Sequence, residues 1–269
     1  MDQQFIRWVN SSDFIDQLPR IVDVGSEIGR GAQGLVFEGE YNGERAAIKV
    51  YSPGQASKRV QREASALKDV SAGSIVRLFW AGDVNYNSRE VQVVVTSYAE
   101  GTPLDDRIQS TPLDEDEVYQ MMLGVAEAVS ALWQERIVHR DIKPSNIILR
   151  DDGDATVIDL GLARHLNESS LTVQGGTWGT PGYLSPEQAR AVRDLTCKSD
   201  IFTLAIVSIE SAMGNHPAHG NQRMLLSIDL HKNLPSPVDR YAHSKVLKSM
   251  LHPRPTKRPK PRDVISIVG

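Results

Sequence analysis

His139-Arg140-Asp141-Ile142-Lys143-Pro144-Ser145-Asn146-Ile147-Ile148-Leu149 is the stretch on which the reading of this chain turns. It places charged and amide side chains directly ahead of an apolar run. Upstream, residues 21–98 read mostly as strands. From Glu100-Gly101-Thr102-Pro103 onward the pattern turns helical, with Val118, Met121, Met122, Val125, Val129 and Leu132 at helical spacing between Asp114 and Gln134. A strand-rich half joined to a helix-rich half predicts an α+β chain of two lobes with a cleft at the joint.

Within the strand-rich half, residues 35–41 lead into Asn42-Gly43, a strong short-range hairpin signal, and residues 46–51 return. A helix is expected over residues 56–69, which are rich in good formers such as Glu63, Ala64, Ala66 and Leu67. Two more strands fit residues 75–81 and 91–97. Residues 1–20 read as a short helical extension packed on the body, with Ser12 as its N-cap. Further helices are expected around residues 186–192, 198–213, 221–230, 238–251 and 261–268.

Gly29-Arg30-Gly31-Ala32-Gln33-Gly34 fits G-x-G-x-x-G, a pattern that any glycine-rich turn could also supply. Its context separates the readings. A dinucleotide-binding turn opens a helix at the last glycine, whereas these glycines lead into a strand and a hairpin. A flap over phosphates, whose backbone N–H groups come close because side chains are missing, fits better. Lys49, in Ala47-Ile48-Lys49-Val50, reads either as an ordinary outward lysine or as a cation for phosphates paired with a carboxylate. Glu63 in the middle of the next helix is the first choice of partner, and Asp69 near its end is the alternative.

His139 to Asn146 resembles the catalytic loop H-R-D-x-x-x-x-N of eukaryotic-type (Hanks-type) serine/threonine protein kinases, and the run Leu184 to Arg190 resembles bacterial members of that family. Eighteen residues after Asp141 comes Asp159-Leu160-Gly161, a variant of the family's D-F-G. Ser185-Pro186-Glu187 stands in the place of A-P-E. The resemblance spans residues 21–269 and implies a bilobal fold. A small antiparallel N-lobe sheet with one main helix would cover about 21–98, a hinge about 97–102 and a mostly helical C-lobe about 103–269.

The resemblance also implies roles. Asp141 would orient the substrate hydroxyl and accept its proton, and Lys143 would hold the γ-phosphate in transit. Asn146 and Asp159 would supply oxygens to Mg²⁺ or Mn²⁺, with ATP as co-substrate. Lys49 and Glu63 would form the ion pair over the α- and β-phosphates, beneath Gly29, Gly31 and Gly34. Val36, Ala47 and Ile148 would sandwich the adenine, Thr96 would be the gatekeeper, and backbone groups of Ser97 and Ala99 would bind the base. Ser97 stands where many relatives carry glutamate, and Leu160 replaces phenylalanine. An apolar column would run through Leu67, Leu78, His139 and Leu160 to Asp200.

For regulation, the resemblance implies that Arg140 pairs with a phosphorylated residue between Gly161 and Pro186. Ser170 or Thr172 is favoured over Ser169 and Thr177. Thr180 would contact Asp141 and Lys143, and Glu187 would form a buried pair with Arg258. Two other readings share the fold: a pseudokinase, which would lack Lys49, Asp141, Asn146 or Asp159, and a small-molecule kinase, which would lack the 179–187 region.

The resemblance implies an enzyme acting on protein serine or threonine, and bulk properties fit a soluble, cytoplasmic protein. Of 269 residues, 40% are hydrophobic and 24% charged, so a folded domain is expected. The net charge of −4 gives no field for nucleic acid. The lone Cys197 suits a reducing compartment and reads as buried filler. Met1-Asp2-Gln3-Gln4 opens with neither a basic nor an apolar signal region, and the apolar run 201–213 is too short and polar to span a bilayer. Nothing in the residues fixes an oligomeric state.

Overall fold

The protein is described as a computed structural model covering residues 3–31, 33–54, 57–70, 72–160, 163–165 and 179–269. The chain divides into two compact units, residues 1–68 with 76–99 and residues 69–75 with 100–269.

The first unit is built on an antiparallel sheet of β1 (Val22–Gly31), β2 (Gly34–Tyr41), β3 (Glu44–Tyr51), β4 (Leu78–Tyr86) and β5 (Arg89–Ser97), in the order β1-β2-β3-β5-β4. The β2–β3 turn is Asn42-Gly43, with φ of 52° and 80°. Positive φ at both central residues is what a two-residue turn matching the strand twist requires. The strand expected over residues 75–81 instead runs from Leu78 to Tyr86. Its turn, Asn87-Ser88, holds φ of 48° and 61° without any glycine to announce it. Ile75 meanwhile makes a parallel bridge to Val157 within the second unit.

Residues 3–18 form α1 (Gln3–Val9) and α2 (Ser12–Ile15). The cap of α2 is Ser11 rather than Ser12, and its hydroxyl donates 2.6 Å back to the carbonyl of Trp8, closing α1 instead of capping α2. Phe5, Val9, Phe14 and Leu18 join one buried cluster with Leu35, Phe37, Ile48, Val50 and Val93 of the sheet. Trp8 lies edge-on to Phe14 at 5.2 Å and 4.8 Å from Tyr86. The helix α3 (Ser57–Asp69) buries Val60, Glu63, Ala66 and Leu67.

In the second unit β6 (Thr102–Pro103) precedes α4 (Leu104–Ser110) and the long α5 (Glu115–Gln134). Asp114 caps α5 through a capping box: its side chain accepts from the N–H of Glu117, whose carboxylate accepts from the N–H of Asp114. Its apolar stripe, Val118, Met121, Met122, Val125, Val129 and Leu132, is buried as the spacing predicts. Then come β7 (Ile137–Val138), β8 (Ile147–Leu149), β9 (Ala155–Val157) and β10 (Arg164–His165). β6, β8 and β9 form a three-stranded sheet, and β7 pairs with β10.

Farther on lie α6 (Pro186–Ala189), α7 (Cys197–Met213), α8 (Gln222–Ser227), α9 (Ser244–Met250) and α10 (Pro261–Val268). Nearly all of α7 is buried, and it stops at Gly214, whose φ of 71° suits a glycine C-cap. The helix expected over 238–251 is divided into a single 3-10 turn, Val238–Arg240, and α9, because Tyr241 between them is extended. Likewise α6 ends early, with Ala191 at φ 54°, and α8 gives way to extended Ile228. Among the described residues no helix is long and apolar enough to cross a membrane.

Phe14 is fully buried in the cluster shared by the N-terminal helices and the sheet. Phe14→Ala should therefore cost about 3–5 kcal/mol, visible in urea unfolding followed by intrinsic fluorescence. An unchanged midpoint would mean that residues 3–18 contribute nothing to the stability of the first unit.

Candidate active site

The stretch from His139 to Asn146 is shaped by one buried carboxylate. Asp200, in the first turn of α7, accepts the backbone N–H of His139 through Oδ2 at 3.0 Å and that of Arg140 through Oδ1 at 2.9 Å. Burial pushes the Asp200 carboxyl above its ordinary range, while these two N–H donors pull the other way. Arg140 itself sits at φ 72°, a conformation disfavoured for a residue with a side chain. Its carbonyl accepts from Gln188 Nε2 at 2.8 Å. The N–H of Asp141 meets His139 Nδ1 at 3.2 Å.

These supports aim Asp141 into a polar cluster. Its Oδ1 accepts both the N–H and the hydroxyl of Thr180, each at 2.7 Å, and its Oδ2 lies 3.1 Å from Lys143 Nζ. Lys143 Nζ also donates to Thr180 Oγ1 at 2.9 Å. Asn146 Nδ2 donates to the backbone carbonyl of Asp141 at 2.9 Å, which directs the amide oxygen the other way. The carbonyl of Asn146 accepts from the N–H of Ile158 at 3.1 Å, so the backbone leading into Asp159 runs beside Asn146. Asn146 and Asp159 thus offer an amide and a carboxylate oxygen, the hard donors that Mg²⁺ takes in small number while keeping water.

In the first unit, Lys49 on β3 and Glu63 on α3 meet at 3.4 Å, with Glu63 buried and Lys49 17% exposed at its side chain. Tyr51, two residues along the same strand face, donates its hydroxyl to Glu63 Oε2, and its ring centroid lies 4.8 Å from Lys49 Nζ. Sequence reading missed Tyr51, although period-two alternation puts it on the face of Lys49.

The three glycines of the hairpin differ in what they answer to. A side chain at Gly34 would run into the carbonyl of Val50 on β3, so glycine there is demanded by the sheet itself. At Gly31 a Cβ would meet nothing within 4 Å, and at Gly29 only ordinary contact with Val36. Thr96 is buried on β5 opposite Ala47, and Ser97 sits opposite Ala46. Ser97 Oγ accepts from the N–H of Arg77 at 2.9 Å, and the N–H of Tyr98 reaches the carbonyl of Arg45 at 3.1 Å. Val36 lies opposite Lys49 across β2 and β3, Ile148 is buried on β8, and Ala99 ends the first unit. Ser169, Ser170, Thr172 and Thr177 lie outside the described residues.

Beyond Thr180 the chain reaches Glu187, whose two oxygens take Arg258 Nη1 at 2.6 Å and Nη2 at 2.9 Å, with Ser199 Oγ adding 2.7 Å. Arg258 also donates to the carbonyls of His252 and Lys198. Cys197 nearby is buried, and desolvation pushes its thiol up to about 12, which leaves it inert.

Residues 22–267 match the family described as "Protein kinase domain". Among curated relatives, the chain is 33% identical over 223 residues to the probable serine/threonine-protein kinase PknB of Lactococcus lactis, covering 79% of this chain and 35% of that one. It is 32% identical over 216 residues to the serine/threonine-protein kinase AfsK of Streptomyces coelicolor, covering 77% and 27%. To the serine/threonine-protein kinase PrkC of Bacillus subtilis it is 33% identical over 172 residues, covering 64% and 26%. The matched part therefore spans only about a quarter to a third of each of these relatives.

The Glu187–Arg258 pair carries a stability prediction. Burial raises the carboxyl of Glu187, but the hydrogen bonds and charge of Arg258, with Ser199, outweigh it and hold the group below its ordinary 4.5. A depressed folded-state value means stability present above that pH and lost as pH falls through the lower folded value. Glu187→Gln should cost about 3–5 kcal/mol at pH 7, since it strands a buried guanidinium. It should also flatten the acid limb of a thermal-melting profile recorded against pH. Equal profiles for both proteins would contradict the assignment.

Proposed function

Because the chain belongs to the protein kinase domain family, we propose that it is an active serine/threonine protein kinase that transfers the γ-phosphoryl group of ATP to a protein hydroxyl. The observation that carries this reading is the Asp141 cluster: a carboxylate 94% buried, with Thr180 on one oxygen and Lys143 on the other. Phosphoryl transfer asks the protein mainly for positioning and electrostatic stabilisation. Asp141 Oδ2 orients the acceptor hydroxyl and takes its proton. Lys143 is placed to neutralise charge on the transferring oxygens. Both are held in register by Thr180.

Asn146 and Asp159 are the residues to hold Mg²⁺ or Mn²⁺, which would shield the charge of the ATP phosphates. In the first unit, Lys49 answers the phosphate charge, with Glu63 and Tyr51 fixing its ammonium. Gly29 and Gly31 need no glycine for packing, which supports a close approach of phosphate to their backbone. Gly34 acts differently, by letting β2 lie on β3. Thr96, Ser97 and Ala99 are assigned to the adenine side.

Control by phosphorylation at Ser170 or Thr172 belongs to the same proposal. It is supported by Arg140, whose backbone is pinned at both its N–H and its carbonyl beside the reacting carboxylate. A reducing, cytoplasmic setting is supported by the single, buried Cys197. The pseudokinase alternative predicts loss of Lys49, Asp141, Asn146 or Asp159, and all four are present.

The test uses the purified chain, labelled ATP, Mg²⁺ and dephosphorylated casein. Wild type should label serine or threonine, and Asp141→Asn should lower the rate by about 10²–10⁴-fold, the usual contribution of a positioned acid–base group. Equal labelling by the two proteins, or labelled tyrosine alone, would overturn the reading.

A further inference from the structure

Segment 179–185 begins at the reacting carboxylate and has no helix or strand of its own. Thr180 is bonded to Asp141 Oδ1, so an acceptor whose hydroxyl reaches Asp141 lays its neighbouring residues beside Pro181 to Leu184, at about 3.3 Å per residue if extended. The shape of this segment therefore decides what can lie there. That shape is imposed from outside, by the loop between α7 and α8 and the first residue of α8.

Two side chains do most of the holding. Gln222 Oε1 accepts the N–H of Gly182 at 2.9 Å and the N–H of Leu184 at 3.1 Å, while its Nε2 donates to the carbonyl of Leu184 at 2.8 Å. His216 Nε2 lies 3.0 Å from the carbonyl of Gly182, and its Nδ1 faces the N–H groups of Ala218 at 3.0 Å and Gly220 at 2.9 Å. Two donors at Nδ1 fix the tautomer, so the proton sits on Nε2 and points at Gly182. Burial lowers the His216 imidazolium below its ordinary value, which keeps the ring in this neutral form. The ring also stands edge-on to Tyr183 at 5.0 Å. Gly182, at φ 98°, rests so closely on Gly220 that a Cβ would come within 2.8 Å of the Gly220 carbonyl.

We propose that His216 and Gln222 are positioning residues for the protein acceptor: by bonding both backbone groups of Gly182 and both of Leu184, they set the surface against which the acceptor binds. The inference rests on the kinase reading above and adds to it which residues shape the acceptor side. None of these contacts involves Lys49 or Asn146, so the effect should fall on the acceptor and not on ATP.

The experiment measures initial rates with the full chain at varied casein and at varied ATP, for wild type, Gln222→Ala, Gln222→Glu and His216→Gln. Gln222→Ala removes three bonds to the segment and should raise KM for casein about tenfold, the effect of roughly one net hydrogen bond of lost ordering, with KM for ATP within about twofold. Gln222→Glu keeps the acceptor oxygen for two N–H groups and loses only the donor, so it should recover part of the loss. His216→Gln can still donate to Gly182 and should fall between wild type and Gln222→Ala. Thermal melting of each variant identifies any that fails to fold, and the remaining ones decide. Unchanged KM for casein in folded Gln222→Ala, or equal rises in both KM values, would overturn the proposal while leaving the kinase reading intact. A wild type that labels nothing would overturn both.

Discussion

The carboxylate of Asp200 is the constraint from which the second unit's chemistry follows. By taking the N–H groups of His139 and Arg140, it holds two consecutive amides pointing into the protein. Arg140 must then adopt φ 72°, and this turn aims Asp141 the other way. An isolated chain would not stay there, because a left-handed arginine is disfavoured. The conformation persists because the Arg140 carbonyl is held as well, by Gln188. Strain in one residue is thus offset by hydrogen bonds from α6 and α7, elements distant in sequence.

Much of the local architecture could be read from the sequence, and the exceptions have physical causes. Asn42-Gly43 announces its turn because glycine accepts positive φ freely. Asn87-Ser88 makes a turn with the same signs of φ but without a glycine, so the strand reads several residues early. Helix α5 carries a capping box and a clean apolar stripe, and its limits follow. The 238–251 segment has helical composition, yet an extended Tyr241 interrupts it, a choice made by packing rather than propensity.

The candidate site divides in the same way. Lys49 and Glu63 are readable because both lie on regular elements, where position along a strand or helix sets direction. Tyr51 was readable by the same rule and was missed because a tyrosine in a strand is ordinary core. Gln222 and His216 carry no such signal. The backbone groups they hold at Gly182 and Leu184 are some 34 to 40 residues away, and no periodicity encodes a side chain reaching a distant main chain. Side-chain-to-backbone bonds of this kind are set by the tertiary fold and leave no local pattern in the sequence.

Segment 179–187 is held by side chains at several points along its length. At Thr180 it is bonded to Asp141; at Gly182 and Leu184 to His216 and Gln222; at Glu187 to Arg258. Around Glu187, Ser185 and Gln188 close a capping box, and the same Gln188 amide supports Arg140. Residues 179–185, without a ladder of their own, must have their backbone polar groups satisfied from elsewhere. Here the supports come from several parts of the second unit: the 139–143 stretch, α7 through Ser199 and Thr203, residues 216 and 222, and the approach to α10. The placement of the Asp141 carboxylate and the shape of the surface beside it are consequently not independent. Gln188 couples them through one side chain, so a change at Ser185 would be felt at Arg140, whereas a change at Gln222, whose side chain bonds to Gly182 and Leu184, leaves that link in place.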